Sequence, residues 1–331
     1  MNPPERVKLF QRRLARWYQA HGRRDLPWRV TSDPYPIYVS EIMLQQTQVA
    51  TVLTRFYHPF LARFPTLKKL AAASEQDVLS AWQGLGYYSR ARHLHAAAKP
   101  CRGALPDNVE ALMQLPGVGR NTAHAIAAFG YHQPYAVMEA NVKRVLCRIF
   151  ALEYPSEKEL WEKAALLLDK KHPFDYNQAM MDVGAMICTK RAPKCGECPA
   201  NIICAGKAAP ERYPQAKKRK AVPIRRKHII LYQDKKGRIH AAPRTTRFLQ
   251  GLYHFDEADS SQDPSATLGM TKLGEIEQSY SHFTLQAEVY IAPAPRPMQR
   301  FYSLAQLAAL PMSMAEKKIL RLLAARGTSG G

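Results

Sequence analysis

Residues 115–129 read Leu-Pro-Gly-Val-Gly-Arg-Asn-Thr-Ala-His-Ala-Ile-Ala-Ala-Phe. The first five, Leu115, Pro116, Gly117, Val118 and Gly119, fall between two stretches with helical patterning, 107–114 and 120–129. Two glycines allow a tight turn whose backbone N–H groups point outward, together with the positive end of the helix that follows. Such a turn binds phosphate without reading bases. An ordinary helix-to-helix turn has the same composition, so the motif needs company to carry meaning.

Outward from the turn, helical periodicity recurs. Val7, Phe10, Leu14 and Trp17 form an amphipathic stripe over residues 4–20. Ser40 can cap a second helix that continues through Ile42, Met43, Val49, Val52 and Phe56. Further helices are expected over 66–73, 75–83, 89–98, 139–151, 156–169 and 175–187, and no strand before residue 205. Residues 1–206 therefore read as an all-α domain. Residues 207–227 hold nine basic residues, one acid (Glu211) and three prolines, the composition of a tether. Beyond it, 228–234 precede a Lys-Lys-Gly-Arg turn, and Phe283, Leu285, Ala287, Val289 and Ile291 alternate with more polar neighbours as in a half-buried strand. Residues 303–325 return to helix. A small α+β domain over 228–325 and a disordered tail at 326–331 complete the organisation.

The chain has 331 residues, enough for two domains, with 46% hydrophobic and 23% charged residues, which excludes a disordered or fibrous protein. No apolar run reaches the ~20 residues of a membrane span, and MNPPERVKLFQRR has no apolar core of a signal peptide. A soluble, cytoplasmic protein without a membrane partner is expected. The net charge of +21 attracts polyanions, of which nucleic acid is the commonest in a cell.

Four of the six cysteines crowd together as Cys188, Cys195, Cys198 and Cys204, a C-x6-C-x2-C-x5-C array. Disulfides are rare in a reducing compartment, so four thiolates this close point to a metal site. Their donor set suits zinc or an iron–sulfur cluster, and spacing does not choose between them. Lys190, Arg191 and Lys194 sit in the loop between the first two sulfurs, where a pinned loop can hold cations against phosphates.

Taken together, the turn, the acidic residue ahead of the 141–150 helix and the cysteine array resemble the helix-hairpin-helix DNA glycosylase superfamily. Within it, Arg24–Arg29 (RDLPWR), Val39–Val49 (VSEIMLQQTQV), Trp82–Arg92 (WQGLGYYSRAR) and ANVKRVL at 140–146 are more similar to adenine glycosylases of the MutY family than to endonuclease III. The resemblance spans nearly all of residues 20–205. It implies two helical subdomains with duplex DNA between them and one [4Fe–4S] cluster on the four cysteines. Gln46 and Tyr87 match the family's intercalating positions. A planar amide and an aromatic ring can both fill the gap left by a flipped base.

By the same resemblance Glu41 is the acid that protonates the leaving purine, a role requiring a raised pKa. The bland alternative is helix-terminus electrostatics one residue after a Ser cap. The second carboxylate departs from the family pattern. Where Asp-Gly-Asn is usual, this chain has Glu139-Ala140-Asn141. One extra methylene moves the carboxylate by roughly 1.5 Å on a fixed backbone, a displacement to which catalysis is sensitive. Glu139 is expected to stabilise the cationic sugar, with Asn141 grouped beside it. Bifunctional relatives place a Schiff-base lysine where this chain has Asn121, which cannot form an imine. Excision without efficient strand cleavage follows. Arg24, Trp28, Arg29, Leu44 and Gln178 match the purine pocket, with Asn121 at its edge.

More weakly, residues 228–325 resemble the MutT-like domain with which the family recognises 8-oxoguanine. GLYHFDE at 251–257 is similar to its GLWEFP signature, and Tyr280-Ser281-His282 to its Phe-Ser-His loop. The REx2EE pattern of pyrophosphate-cleaving relatives is absent. The implied function is removal of adenine mispaired with 8-oxoguanine or guanine, by a monomer. Two alternatives remain at this point: a mismatch thymine or uracil glycosylase, and a catalytically weakened lesion-binding protein.

Overall fold

The computed structural model describes residues 3–215, 221–259, 269–295 and 297–327. Its first helix, α1 (Pro3–His21), carries the expected stripe. Phe10 and Leu14 enter a core with Val145, Leu146, Leu160, Trp161 and Tyr176. The second helix, α2 (Pro34–Leu44), starts well before Ser40. Asp33 accepts from the Tyr35 N–H, and Pro34 occupies the first turn, where its missing donor costs nothing. Ser40 is buried inside this helix and donates to the Ile37 carbonyl at 2.7 Å. The continuous helix expected through Phe56 is instead two, α2 and α3 (Val49–Arg55), and a separate α4 (Tyr57–Arg63) follows. Gln46, with φ of +58°, lies in the break.

The later helices follow the periodicity more closely. They are α5 (Leu67–Ala72), α6 (Glu75–Ala81), α7 (Ser89–Ala98), α8 (Val109–Met113), α9 (Arg120–Gly130), α10 (Ala140–Ile149), α11 (Glu157–Leu167) and α12 (Pro173–Asp182). Ser74, Asn108 and Ser156 cap α6, α8 and α11 through their side chains. A single π-helical turn, Val183–Ile187, continues α12 to Cys188. Among the described residues the first strand begins at Ile224, and no helix is long and apolar enough to cross a membrane.

Contacts divide the chain into two compact units, Met1–Ala71 with Ala96–Lys218, and Ala72–His95 with Arg219–Gly331. This differs from a single cut within 207–227. Ala72–His95 groups with the C-terminal half because Gln83 donates to the Leu310 carbonyl at 2.9 Å and Tyr88 to that of Met312 at 3.2 Å. Nor is 207–227 a free tether throughout. Pro210 is buried, and the Arg148 guanidinium binds the carbonyls of Pro210 and Tyr213. Residues 224–227 already belong to a strand, while 216–220, expected as linker, lie outside the described residues.

The second unit is built on a six-stranded mixed sheet. β1 (Ile224–Gln233) pairs in parallel with β7 (Thr284–Pro293) over ten residues. β6 (Thr271–Ser279) pairs antiparallel with β7, and β2 (Ile239–His240), β5 (Asp256–Asp259) and β8 (Phe301–Tyr302) complete it. β3 (Ala242–Pro243) and β4 (Tyr253–His254) form a separate pair. Ile229, Leu231, Ala287 and Val289 face α13 (Leu304–Ala309) and α14 (Met314–Gly327) through Leu307, Ala315 and Ile319. Of the expected tail, 326 and 327 close α14 and 328–331 lie outside the described residues.

Candidate functional site

Glu41 sits in the last turn of α2, the negative end of the helix dipole, and so far from a helix N-terminus. The helix-start explanation for this residue therefore fails. Burial, followed by repulsion from Glu139, pushes its carboxyl up to about 7, against a lowering pull from Arg29. Glu139 caps α10. Its two carboxylate oxygens accept the Asn141 N–H at 2.9 Å and the Val142 N–H at 3.1 Å. Glutamate is an unusual cap, and the extra methylene lets the side chain fold back onto its own helix. Burial raises the Glu139 pKa too, opposed by those two N–H donors and by Arg144. Two neighbouring carboxyls cannot both ionise cheaply. Of the two, Glu41 is the one held up to about 7, while the carboxylate of Glu139 is anchored by backbone donors.

The elements around this pair are tied together by buried polar groups. Asn141 Oδ1 accepts from Arg144, which also donates to the carbonyls of Gly184 and Cys188. Gly184 is required here, since a Cβ would lie 2.6 Å from Asn141 Cβ. Asp182 is fully buried and takes bonds from Arg29 at 2.7 and 3.0 Å and from the Arg23 side chain and N–H. Burial pushes its carboxyl up, but the hydrogen bonds and charge of Arg29 and the hydrogen bonds of Arg23 outweigh this and hold it below the ordinary range. Arg29 thus pairs with Asp182 while its charge also acts on Glu41.

The expected pocket residues are unequal in placement. Arg29 and Gln178 are buried, Leu44 is half-buried and Arg24 is exposed. Trp28 is buried edge-on against Tyr57, with ring centroids 5.1 Å apart. Asn121 Oδ1 accepts the Met138 N–H at 2.7 Å, next to Glu139. Asp182, Arg23, Asn177 and Arg144 were not singled out from sequence. Asp182 had one legible signal: it lies four residues after Gln178, the same face of α12, in an otherwise apolar run.

In the Leu115–Gly119 turn, Leu115 and Val118 are buried while Pro116, Gly117 and Gly119 are exposed. Gly117 has φ of +76°, a conformation that suits glycine. Gly119 caps α9 without a side chain and faces open space. The first N–H groups of α9 are thereby presented outward.

Cys188, Cys195, Cys198 and Cys204 line one small pocket of about 20 Å³. Burial, then the mutual repulsion of Cys188, Cys204 and Cys195, pushes the Cys198 thiol up to about 12. Among the described residues, no three Cys, His, Asp or Glu side chains converge as ligands of a single ion would. Four sulfurs lining one pocket are a donor set that fits either a zinc ion or an iron–sulfur cluster. The buried Arg148 guanidinium lines the same cavity, 3.3 Å from Cys188 Sγ, and donates to the carbonyls of Cys188, Thr189 and Lys190. A buried cation beside several thiolates offsets their charge. Sequence reading passed over it as a helix residue.

In the second unit, Tyr87 is 46% exposed with φ of +49°, a strained state for a non-glycine residue. Its ring lies 5.2 Å from the Arg90 guanidinium. Tyr87, Tyr88, Phe248, Tyr280, Ser281 and His282 line one cavity. Phe248 packs edge-on against Tyr280 and His282, at 5.1 and 5.2 Å. Gln46, in the first unit, is likewise exposed and left-handed, so both expected wedge residues stand on strained, protruding turns.

The helical part of the chain has the fold and hairpin of a base-excision DNA repair protein. Residues 39–170 match the HhH-GPD superfamily base excision DNA repair protein family. A thermostable thymine-DNA glycosylase of known structure superposes with a TM-score of 0.57 at 29% identity, covering 62% of this chain and 98% of that one. An adenine DNA glycosylase of Buchnera aphidicola subsp. Schizaphis graminum is 34% identical over 241 residues, 69% of each chain. Its counterpart from the subspecies Baizongia pistaciae is 38% identical over 203 residues, 59% of this chain. The chain spans 58% of the length of that relative. The chain belongs to the adenine DNA glycosylase family.

Proposed function

We propose that this chain removes adenine from duplex DNA by hydrolysing its N-glycosidic bond. The observation that carries the reading is a carboxyl held at about 7, Glu41, electrostatically coupled to a second carboxylate, Glu139, anchored on a helix N-terminus. Pairs of titratable groups in different environments are the usual sign of acid/base assignment. Glu41 gives its proton to the extruded purine ring. The C1′–N9 bond breaks with its electron pair going to the base, and Glu139 stabilises the oxocarbenium-like sugar. Water then adds its oxygen to C1′ and loses a proton to a carboxylate. Arg24, Trp28, Arg29, Leu44 and Gln178 are the residues proposed to hold the base, and Asn121, which carries no amine, is the reason to expect no efficient strand scission.

The hairpin at 115–119 and the positive charge supply sequence-independent phosphate contacts. Gln46 and Tyr87 are proposed to enter the stack as the base leaves it. The mixed sheet with α13 and α14 supports a MutT-like reading of the C-terminal unit, and Tyr280, Ser281 and His282 would distinguish 8-oxoguanine, whose N7 donates, from guanine, whose N7 accepts. The four cysteines would hold a [4Fe–4S] cluster, which would fix the cation-bearing loop between Cys188 and Cys204 in place.

The deciding experiment is single-turnover excision from A:8-oxoguanine, A:G and T:G duplexes, with and without alkali. Adenine release with strand breaks only after alkali is expected. Thymine release from T:G, or abundant breaks without alkali, would overturn this reading.

A further inference from the structure

The segment Tyr135–Met138 links α9 to α10 and ends on Glu139 without forming a helix or strand. Extended backbone in a protein interior must find partners for its N–H and C=O groups. Here side chains supply them, residue by residue. Asn177 Nδ2 donates to the Tyr135 carbonyl at 2.9 Å, and its Oδ1 accepts the Val137 N–H at 2.9 Å. His124 Nδ1 lies 2.8 Å from the Ala136 carbonyl. Asn121 Oδ1 accepts the Met138 N–H at 2.7 Å. Asn177 is itself buried and tied to the Pro173 carbonyl of its own helix at 2.8 Å. Two helices, α9 and α12, thus grip four consecutive residues as a neighbouring strand would.

From this geometry we infer that Asn121 is a positioning residue for Glu139. It makes the last of these bonds, one peptide before the carboxylate-bearing residue, and so fixes the backbone from which Glu139 turns back to cap α10. Val137 and Met138 are buried and anchored by packing, and Asn177 holds the upstream half. What Asn121 adds beyond satisfying this one N–H is the aim of the following residue. A glutamate has one more rotatable bond than an aspartate, so its carboxylate depends more on a fixed origin. The inference rests on Glu139 being the cation-stabilising carboxylate.

The test uses the full chain with Asn121→Ala, Asn121→Asp and Glu139→Gln, each measured for single-turnover excision from saturating A:8-oxoguanine duplex. Thermal midpoint and affinity for a duplex carrying a non-hydrolysable 2′-fluoro adenosine are measured alongside. Asn121→Ala is expected to slow excision by about 10- to 100-fold, with affinity unchanged and a modestly lowered midpoint, since the buried Met138 N–H loses its acceptor. Asn121→Asp keeps an acceptor in the same place and is expected to restore most of the rate. An undiminished Asn121→Ala rate while Glu139→Gln is inactive overturns the inference and leaves the reading of Glu139 standing. Slow excision in both Asn121 variants with a lowered midpoint in both also overturns it, since the residue would then only support the fold. Full activity of Glu139→Gln would instead remove the reading beneath it.

Discussion

Replacing Glu41 by glutamine should make the protein more stable at neutral pH while abolishing excision. A carboxyl raised from its ordinary 4.5 to about 7 corresponds to a linkage ceiling of about 3 kcal/mol at 1.36 kcal/mol per pH unit. Glu41 keeps some solvent contact, so about 1–2 kcal/mol is the expected size after screening and relaxation. The sign follows from proton counts. Below pH 4.5 the carboxyl is neutral in both folded and unfolded chains and contributes nothing. As pH rises toward 7, the unfolded chain ionises first, so the folded state loses stability until its own carboxyl titrates. Glutamine has no such loss. Urea unfolding of parent and variant, followed by tryptophan fluorescence at pH 4.5, 6 and 8, measures the difference. The variant's advantage should be small at the lowest pH, grow through the middle and level off above neutrality. A constant difference across the series, or a variant less stable at pH 8, would refute the assignment of a raised carboxyl at this site. The parent's excision rate should fall over the same interval as the acid loses its proton.

Asp182→Asn removes the partner of buried Arg29 and should cost about 3–5 kcal/mol; with Arg29 less engaged, the alkaline fall in excision should also move to lower pH. Arg148→Met leaves the carbonyls of Pro210, Thr189 and Lys190 without their donor and the cysteine sulfurs without their cation. Visible absorption of the purified protein should then drop sharply relative to the parent, and an unchanged spectrum would count against a role in holding a cluster.

Much of the architecture could be read along the chain. Helices α5 to α11 lie within a few residues of their periodic stretches, because a single apolar face per helix writes itself into the sequence. β7 was legible from strict alternation. β6 was not, since a register shift between Lys272 and Gly274 breaks its alternation. Ser40 misled because cap residues are recognised by type, and Asp33 with Pro34 provided the stronger start upstream. Ala72–His95 carries nothing in its pattern that ties it to a sheet more than a hundred residues away.

The candidate site divides the same way. The hairpin and the four cysteines are visible because their residue types and spacings are local, whereas Glu41 and Glu139 stand out only through the family resemblance. The state of the two carboxyls is not visible. Whether Glu41 is raised depends on desolvation and on the charges of Glu139 and Arg29, which come from three different parts of the chain. The roles of Asp182, Asn177 and Arg148 exist only through partners between 40 and 159 residues distant. Sequence by itself determined which groups this protein owns and which helices carry them. Tertiary structure decided which of those groups are dry, which are paired and therefore which hold a proton, because solvation and Coulomb energy depend on distance in space rather than along the chain.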